Sequence, residues 1–310
     1  MTSTDTASNN PATRRIPTGY LRISITDSCN MKCNYCHNEG QTGLHSGLMS
    51  PENFRYIASN ALRFGLTKVR VTGGEPLLHP QCVDILRIAK QELNIDTVGL
   101  NTNGTRRNVL LSIVQARLVD KLVIGLDYQD AGVSKQSTVG LPSKVVLETI
   151  LMAKATGQDV AIACVFDGNY HEMEKLANWC LQHDVTLKIL QVTNKAIETS
   201  VNREFVCMSA KLIAQFSLQR GVLDDVGDYY GIGPGGTKIC FFHSHCRMRE
   251  CRKCGTIHMR VTADGCVKTC IQEDLQFPLL TGDFERSLMR AIANVGHAPE
   301  TRLGNAGDQT

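Results

Sequence analysis

The chain has 310 residues, 42% of them hydrophobic, and a formal net charge of +3. That is enough apolar material for one large domain or a domain with an appendage, and too little charge to imply a nucleic-acid polymer as partner. No run of 18 apolar residues is present to span a membrane, and the polar start Met1–Thr13 lacks an apolar signal segment; the expectation is a cytoplasmic protein with a disordered tail over 1–17.

The first predicted element is a strand, Leu21–Thr26, apolar and β-branched, which stops at Thr26-Asp27-Ser28. Cys29, Cys33 and Cys36 follow on the next loop as C-x3-C-x2-C. Three thiolates on a short loop suit three irons of a four-iron cluster and leave the fourth iron open for chemistry. The rival is a closed zinc site with His37 as fourth ligand, which would require the adjacent Cys36 and His37 to turn toward one ion.

Strands and helices then alternate. Predicted strands are Lys68–Thr72, Thr97–Thr102, Lys121–Gly125, Asp159–Val165 and Thr186–Leu190; predicted helices are Pro51–Phe64, Gln81–Glu92, Arg106–Ala116, Ser143–Thr156 and His171–His183. Six β/α repeats with short loops predict a parallel sheet with helices outside, curved into a partial barrel whose working loops sit at the C-terminal strand ends. Those ends carry Thr72-Gly73-Gly74-Glu75-Pro76, Asn101-Thr102-Asn103-Gly104 and Gly125-Leu126-Asp127. Each reads either as a turn or as a set of small polar groups at the working edge, and Asp127 suits a ribose or a cap.

Beyond residue 200 the pattern changes to one helix or helix pair over Val201–Gly221, then a turn-rich break at Gly231–Gly236. Of the 13 cysteines, three lie between 29 and 36 and six between 240 and 270. Clustering without an export signal favours metal over disulfides. Cys251-x2-Cys254 with Cys270 reads as a second iron–sulfur site or as zinc, with Cys246 or Cys266 as a further ligand. A hairpin is predicted from His258–Thr262 and Cys266–Cys270 about an Asp264-Gly265 turn. His258 and Arg260 share a face of its first strand and, with Arg22, form either a basic pocket or a solvated surface. The residues from 291 to 310 read as a flexible tail.

The cysteine motif, with Tyr35 before its last cysteine, resembles the signature of the radical S-adenosylmethionine (SAM) superfamily, and Thr72–Pro76 resembles that superfamily's GGEP loop. Within it, Leu21–Cys36, Asn101–Gly104, Leu126-Asp127 and Arg260–Gly265 are similar to the GTP 3′,8-cyclases of molybdenum-cofactor biosynthesis, over about residues 20–285. The resemblance implies an α/β fold: a partial (β/α)6 TIM barrel over 18–205 and a small auxiliary-cluster, twitch-like extension over 206–290. It implies that Cys29, Cys33 and Cys36 hold a [4Fe-4S] cluster and that Tyr35, Gly73, Gly74, Glu75, Thr102, Asn103 and Asp127 line SAM. Cys251, Cys254 and Cys270 would hold a second [4Fe-4S] cluster, and Arg22, His258 and Arg260 would meet a small-molecule substrate. The implied reaction is reductive cleavage of SAM to a 5′-deoxyadenosyl radical, fed by a donor such as flavodoxin or ferredoxin, followed by hydrogen abstraction.

The cyclase pattern has a third arginine where this chain has His258, two fewer residues between Cys254 and the hairpin, and a Gly-Gly end where this chain reads Gly307-Asp308-Gln309-Thr310. On these departures the expected substrate is a nucleoside, nucleotide or sugar of a natural-product (antibiotic) pathway, with GTP cyclisation as the alternative. A peptide-modifying maturase and a zinc-stabilised binding module are the remaining readings.

Overall fold

The computed structural model describes residues 20–33, 35–41, 47–126, 143–191, 198–222, 229–233, 235–243, 258–268, 270–271 and 275–294. Asp127, Cys246, Cys251, Cys254 and the two expected tails, apart from the end of the last helix, lie outside them.

Six strands and five helices alternate as the hydrophobic pattern predicts. They are β1 (Tyr20–Ser24), α1 (Pro51–Arg63), β2 (Lys68–Thr72), α2 (Cys82–Arg87), β3 (Thr97–Thr102), α3 (Arg107–Gln115), β4 (Lys121–Gly125), α4 (Ser143–Ala155), β5 (Asp159–Phe166), α5 (Tyr170–His183) and β6 (Thr186–Gln191). Side-chain caps mark where α1 and α5 begin. The Ser50 hydroxyl accepts from Asn53 N ahead of Pro51, and the Asn169 side chain accepts from Glu172 N. A π-turn, Ile88–Glu92, carries α2 to the end expected for it.

Then come α6 (Glu198–Gln215), β7 (Gln219–Val222), β8 (Tyr229–Ile232), β9 (Lys238–Phe242), β10 (His258–Val261), β11 (Cys266–Lys268), β12 (Gln276–Pro278) and α7 (Phe284–Ala293). The expected helix Val201–Gly221 is therefore too long. Ser217 turns left-handed at φ 49° and ends the helical hydrogen bonding, and Gln219–Val222 pairs with β8 as a strand. The expected break at Gly231–Gly236 narrows to Gly233–Gly236, because Gly231 and Ile232 belong to β8.

Among the described residues twelve strands join one sheet in the order β12-β11-β10-β1-β2-β3-β4-β5-β6-β9-β8-β7. From β10 through β9 every neighbouring pair is parallel; the outer pairs at both ends are antiparallel. The sheet margins are β7, with Arg220 and Gly221, and β12, which ends in Pro278.

Strand side chains alternate between faces, and the registers sort them. One face carries Leu21, Ile23, Val69, Val71, Val98, Leu100, Leu122, Ile124, Ile162, Leu187, Ile189, Ile239 and Phe241, all at most 1% exposed in the main core. The opposite face carries Arg22, Arg70, Gly99, Asn101, Val123, Ala161, Ala163, Lys188 and Cys240, which the registers from β1 to β9 place on one side. The apolar face packs under the helices; the small and cationic face lines the inside of the curved sheet.

Candidate active site

The cysteine loop is seated by the end of β2. Gly74 N donates to Thr26 O and Glu75 N to Ser28 O, both at 2.8 Å. The glycines are required by this contact: a Cβ on Gly73 would lie 2.4 Å from Thr26 O, and one on Gly74 would lie 2.2 Å from Ser28 O. What comes close to the glycine pair is the start of the cysteine loop itself. Cys29 and Cys36 are exposed, and Cys33 and Tyr35 are half-buried. Two sulfurs accept backbone N–H groups at 3.3 Å, Cys29 from Met31 and Cys36 from Asn38. Such bonds suit thiolates that ligate an iron–sulfur cluster. Among the described residues no three His, Cys, Asp or Glu side chains gather tightly enough to hold a single metal ion.

Glu75 ties this loop to the end of β3. Its carboxylate accepts from Leu77 N at 3.0 Å, from the Thr102 hydroxyl at 2.6 Å and from Asn103 N at 2.6 Å. Burial raises its carboxyl above the ordinary value, and the three donors work against that. Asn103 Nδ2 donates to Asn30 Oδ1 at 2.8 Å, and Asn30 Nδ2 donates to the Thr105 hydroxyl at 2.9 Å. Asn30 lies between Cys29 and Cys33, so this network connects the cysteine loop directly to the Asn101–Gly104 turn. Of the expected SAM-lining residues, Tyr35, Gly73, Gly74, Glu75, Thr102 and Asn103 therefore share one end of the barrel with the cysteines.

Beneath the loop the barrel interior is basic. Arg22 donates to Glu39 through Nε at 3.3 Å and through Nη2. The Thr72 hydroxyl donates to the same carboxylate at 3.2 Å, and Arg260 Nε faces it at 3.6 Å. Burial works against a charge on Glu39, yet Arg22, His37 and Arg260 hold its carboxyl well below the usual carboxylate range. Arg260 Nη1 is buried with no hydrogen-bond partner among the described residues. Arg70 donates to Asn101 Oδ1 at 3.2 Å and stacks 4.7 Å over the Tyr20 ring. Gly99 makes room for it, since a Cβ there would lie 3.3 Å from Arg70 Nε. Lys188 is pushed down to about 8, first by burial and then by Arg70.

The hairpin reaches the other end of the barrel. β10 runs parallel to β1 with Arg22 beside Arg260, and β11 returns antiparallel with Lys268 opposite Arg260. Lys268 is buried, and it shares the inner face with both arginines. Half-buried Cys270 follows two residues after β11, which extrapolation of the β10–β11 register would put level with the start of β1. With about 3.3 Å of rise per residue, it lies roughly 15 Å below the loop that begins where β1 ends. Cys266 sits at the turn end of β11, roughly 13 Å of extended chain from Cys270. That separation argues against both gripping one cluster. His258 is the first residue of β10, paired with Tyr20.

Four residues of this interior escape the sequence analysis: Glu39, Arg70, Lys188 and Lys268. The signal was present for two of them. Strands of a parallel sheet are usually apolar throughout, so a lone cation inside Val69-Arg70-Val71 or Leu187-Lys188-Ile189 marks a face that is not packed under helices. Glu39, on a loop, has no such pattern.

The model of the radical SAM superfamily matches residues 23–180. The GTP 3′,8-cyclase of Limosilactobacillus fermentum is 29% identical over 294 residues, covering 89% of this chain and 87% of that one. A probable GTP 3′,8-cyclase of Methanococcus vannielii is 27% identical over 267 residues, covering 82% and 85%. Among solved structures, Streptococcus suis SuiB bound to S-adenosylmethionine superposes with a TM-score of 0.65 at 14% identity, over 89% of this chain. The chain spans 63% of SuiB, under two thirds of its length. Native anSMEcpe with bound AdoMet gives 0.64 at 16% identity, over 89% of this chain and 82% of that one. These likenesses to solved structures establish the TIM-barrel type of fold. The three cysteines, the GGEP loop fitted against them and the family match agree, and the chain is an enzyme that belongs to the radical SAM superfamily.

Proposed function

We propose that the enzyme acts on a phosphorylated purine nucleotide, with GTP as first candidate and 3′,8-cyclisation as its reaction. One observation carries this reading: Arg22, Arg70, Arg260, Lys188 and Lys268 share the inner face, with Glu39 as the carboxylate in contact with the arginines. An enclosed surplus of guanidinium and ammonium groups suits a chain of phosphates, which offers many acceptors and several negative charges. The buried Arg260 Nη1 supplies a donor for one of those acceptors. The curated relatives named above point to the base and the reaction.

Cys29, Cys33 and Cys36 would hold the cluster that superfamily membership implies, and three thiolates leave one iron free for SAM. When bound, that cluster supplies the electron that splits SAM into methionine and a 5′-deoxyadenosyl radical. The chain's own residues bind, orient and exclude water. Glu75, Thr102 and Asn103 fix the edge against which SAM lies; Arg22 and Arg260 hold the phosphate end of the substrate below it. Asp127, two residues beyond β4 in the sequence, joins the SAM edge in this reading. Cys270, with Cys251 and Cys254, would carry an auxiliary cluster at the far end, so that the substrate lies between two metal sites. The electron donor is of the flavodoxin or ferredoxin class.

The test is to incubate the anaerobically reconstituted protein with SAM and reductant against GTP, ATP, guanosine and sugar nucleotides. GTP should stimulate 5′-deoxyadenosine formation most and yield a 3′,8-cyclised product. A second reading, a nucleoside or sugar of a natural-product pathway, rests on His258, which stands where the cyclase pattern has an arginine. Stimulation by such compounds and none by GTP would replace the first reading with the second.

A further inference from the structure

Glu39 lies three residues beyond Cys36 on the same loop, and its carboxylate reaches back into the barrel to Arg22, Thr72 and Arg260. The backbone that brings it there is strained. Asn38 and Glu39 are both left-handed, with φ of 44° and 51°. Asparagine tolerates that region, whereas glutamate rarely enters it, and such a conformation persists only where its surroundings over-determine it. Here the ion pair fixes one end of the strained turn and Cys36 the other. Asn38 N donates to the Cys36 sulfur at 3.3 Å, and Glu39 N donates to His37 Nδ1 at 3.1 Å. A backbone N–H on a ligating sulfur is one of the protein's levers on an iron–sulfur cluster.

We propose that Glu39 is a positioning residue that couples occupation of the Arg22–Arg260 pair by an anion to the surroundings of the Cys36 sulfur. The proposal rests on the nucleotide reading only in taking that anion to be the phosphate end of the substrate. A carboxylate and a phosphate compete for the same guanidinium donors. A phosphate that draws an arginine toward itself loosens the grip on Glu39. The turn then relaxes, and the Asn38 N–H shifts against the sulfur. Coupling of this kind is reciprocal: the anion alters the affinity for SAM, and SAM alters the affinity for the anion by the same factor. The loop thus registers whether a substrate is present before a radical is made.

The experiment uses the full-length, anaerobically reconstituted enzyme, with inorganic tripolyphosphate as probe and GTP beside it. Two quantities are read: the dissociation constant for SAM with and without the probe, and the electron paramagnetic resonance signal of the reduced cluster without SAM. In the wild-type protein tripolyphosphate should change SAM affinity by about fivefold or more and displace the signal. In Glu39→Gln the iron content should stay, tripolyphosphate should bind at least as tightly because a competing charge is gone, and the change in SAM affinity should fall below about twofold. Thr72→Val, which removes one donor to Glu39, should give an intermediate value. An undiminished effect in Glu39→Gln, or none in the wild type, overturns the proposal. Should Glu39→Gln take up no cluster, Thr72→Val decides, and full coupling there overturns it. Coupling by tripolyphosphate but not by GTP would leave Glu39 its role and remove GTP as the substrate.

Discussion

Lys188 on β6 and Arg70 on β2 lie on the same inner face although three strands separate them in the sheet, and burial first, then the field of that guanidinium, brings the lysine down to about 8. Two like charges share one buried interior, where each disfavours the other. Such an arrangement fits a surface prepared for an anion rather than for stability.

The cost of that preparation is measurable as a pH dependence. Lys188 titrates near 10.5 when unfolded and near 8 when folded, so the folded state disfavours its charge. Replacing it by methionine should therefore stabilise the protein by something on the order of 1–3 kcal/mol at pH 7. The gain should shrink as pH rises from 8 to 10.5, where the wild-type amine becomes neutral in both states. Urea unfolding across that range checks it, and the same variant should bind tripolyphosphate more weakly if the inner face takes a phosphate chain as proposed.

Asn30 should matter to SAM without mattering to iron. Its side chain joins the cysteine loop to Asn103 and Thr105, and it holds no metal. In Asn30→Ala the iron content should match the wild type while SAM binding weakens by about 10-fold, the scale of one or two lost hydrogen bonds. Iron analysis beside equilibrium dialysis separates the two quantities.

Gly74→Ala should destabilise by roughly 1–3 kcal/mol, because its new methyl would meet the Ser28 carbonyl, which is backbone and cannot swing aside. Gly235→Ala, with nothing within 4 Å of the added carbon, should stay within about 0.5 kcal/mol of the wild type. Denaturant midpoints of the two variants make the comparison.

Cysteine replacements should sort by position. If Cys270 holds an auxiliary cluster, Cys270→Ala should lower the iron content from about eight to about four per chain. Cys266→Ala should leave it unchanged, since Cys266 lies at the opposite end of β11. Equal losses from the two would show that both serve one site.

The barrel was legible because its strands follow a simple rule. Lys68–Thr72, Thr97–Thr102 and Lys121–Gly125 begin and end where apolar runs meet turn residues, and helices fill the spaces between. The cysteine spacing and the double glycine announced the upper rim for a similar reason: each demands particular residue types in consecutive positions. Two kinds of feature were hidden. β7, β8 and β9 are short, and β7 follows a helix with only Phe216, Ser217 and Leu218 between, so local pattern alone runs them together. The contact of Glu39 with Arg22 and Arg260 joins three segments far apart in the chain, and no local periodicity encodes it.

A sheet of this breadth has two lateral margins whose backbone amides and carbonyls could zip onto a neighbouring copy. Arg220 and Gly221 on one margin and Pro278 on the other are residues that discourage such zippering, the first by charge, the second by poor strand propensity and the third by lacking a donor. The fold thereby defends itself against ribbon-like growth at both flanks, which leaves the central strands free to hold the polar and charged lining that reactivity demands.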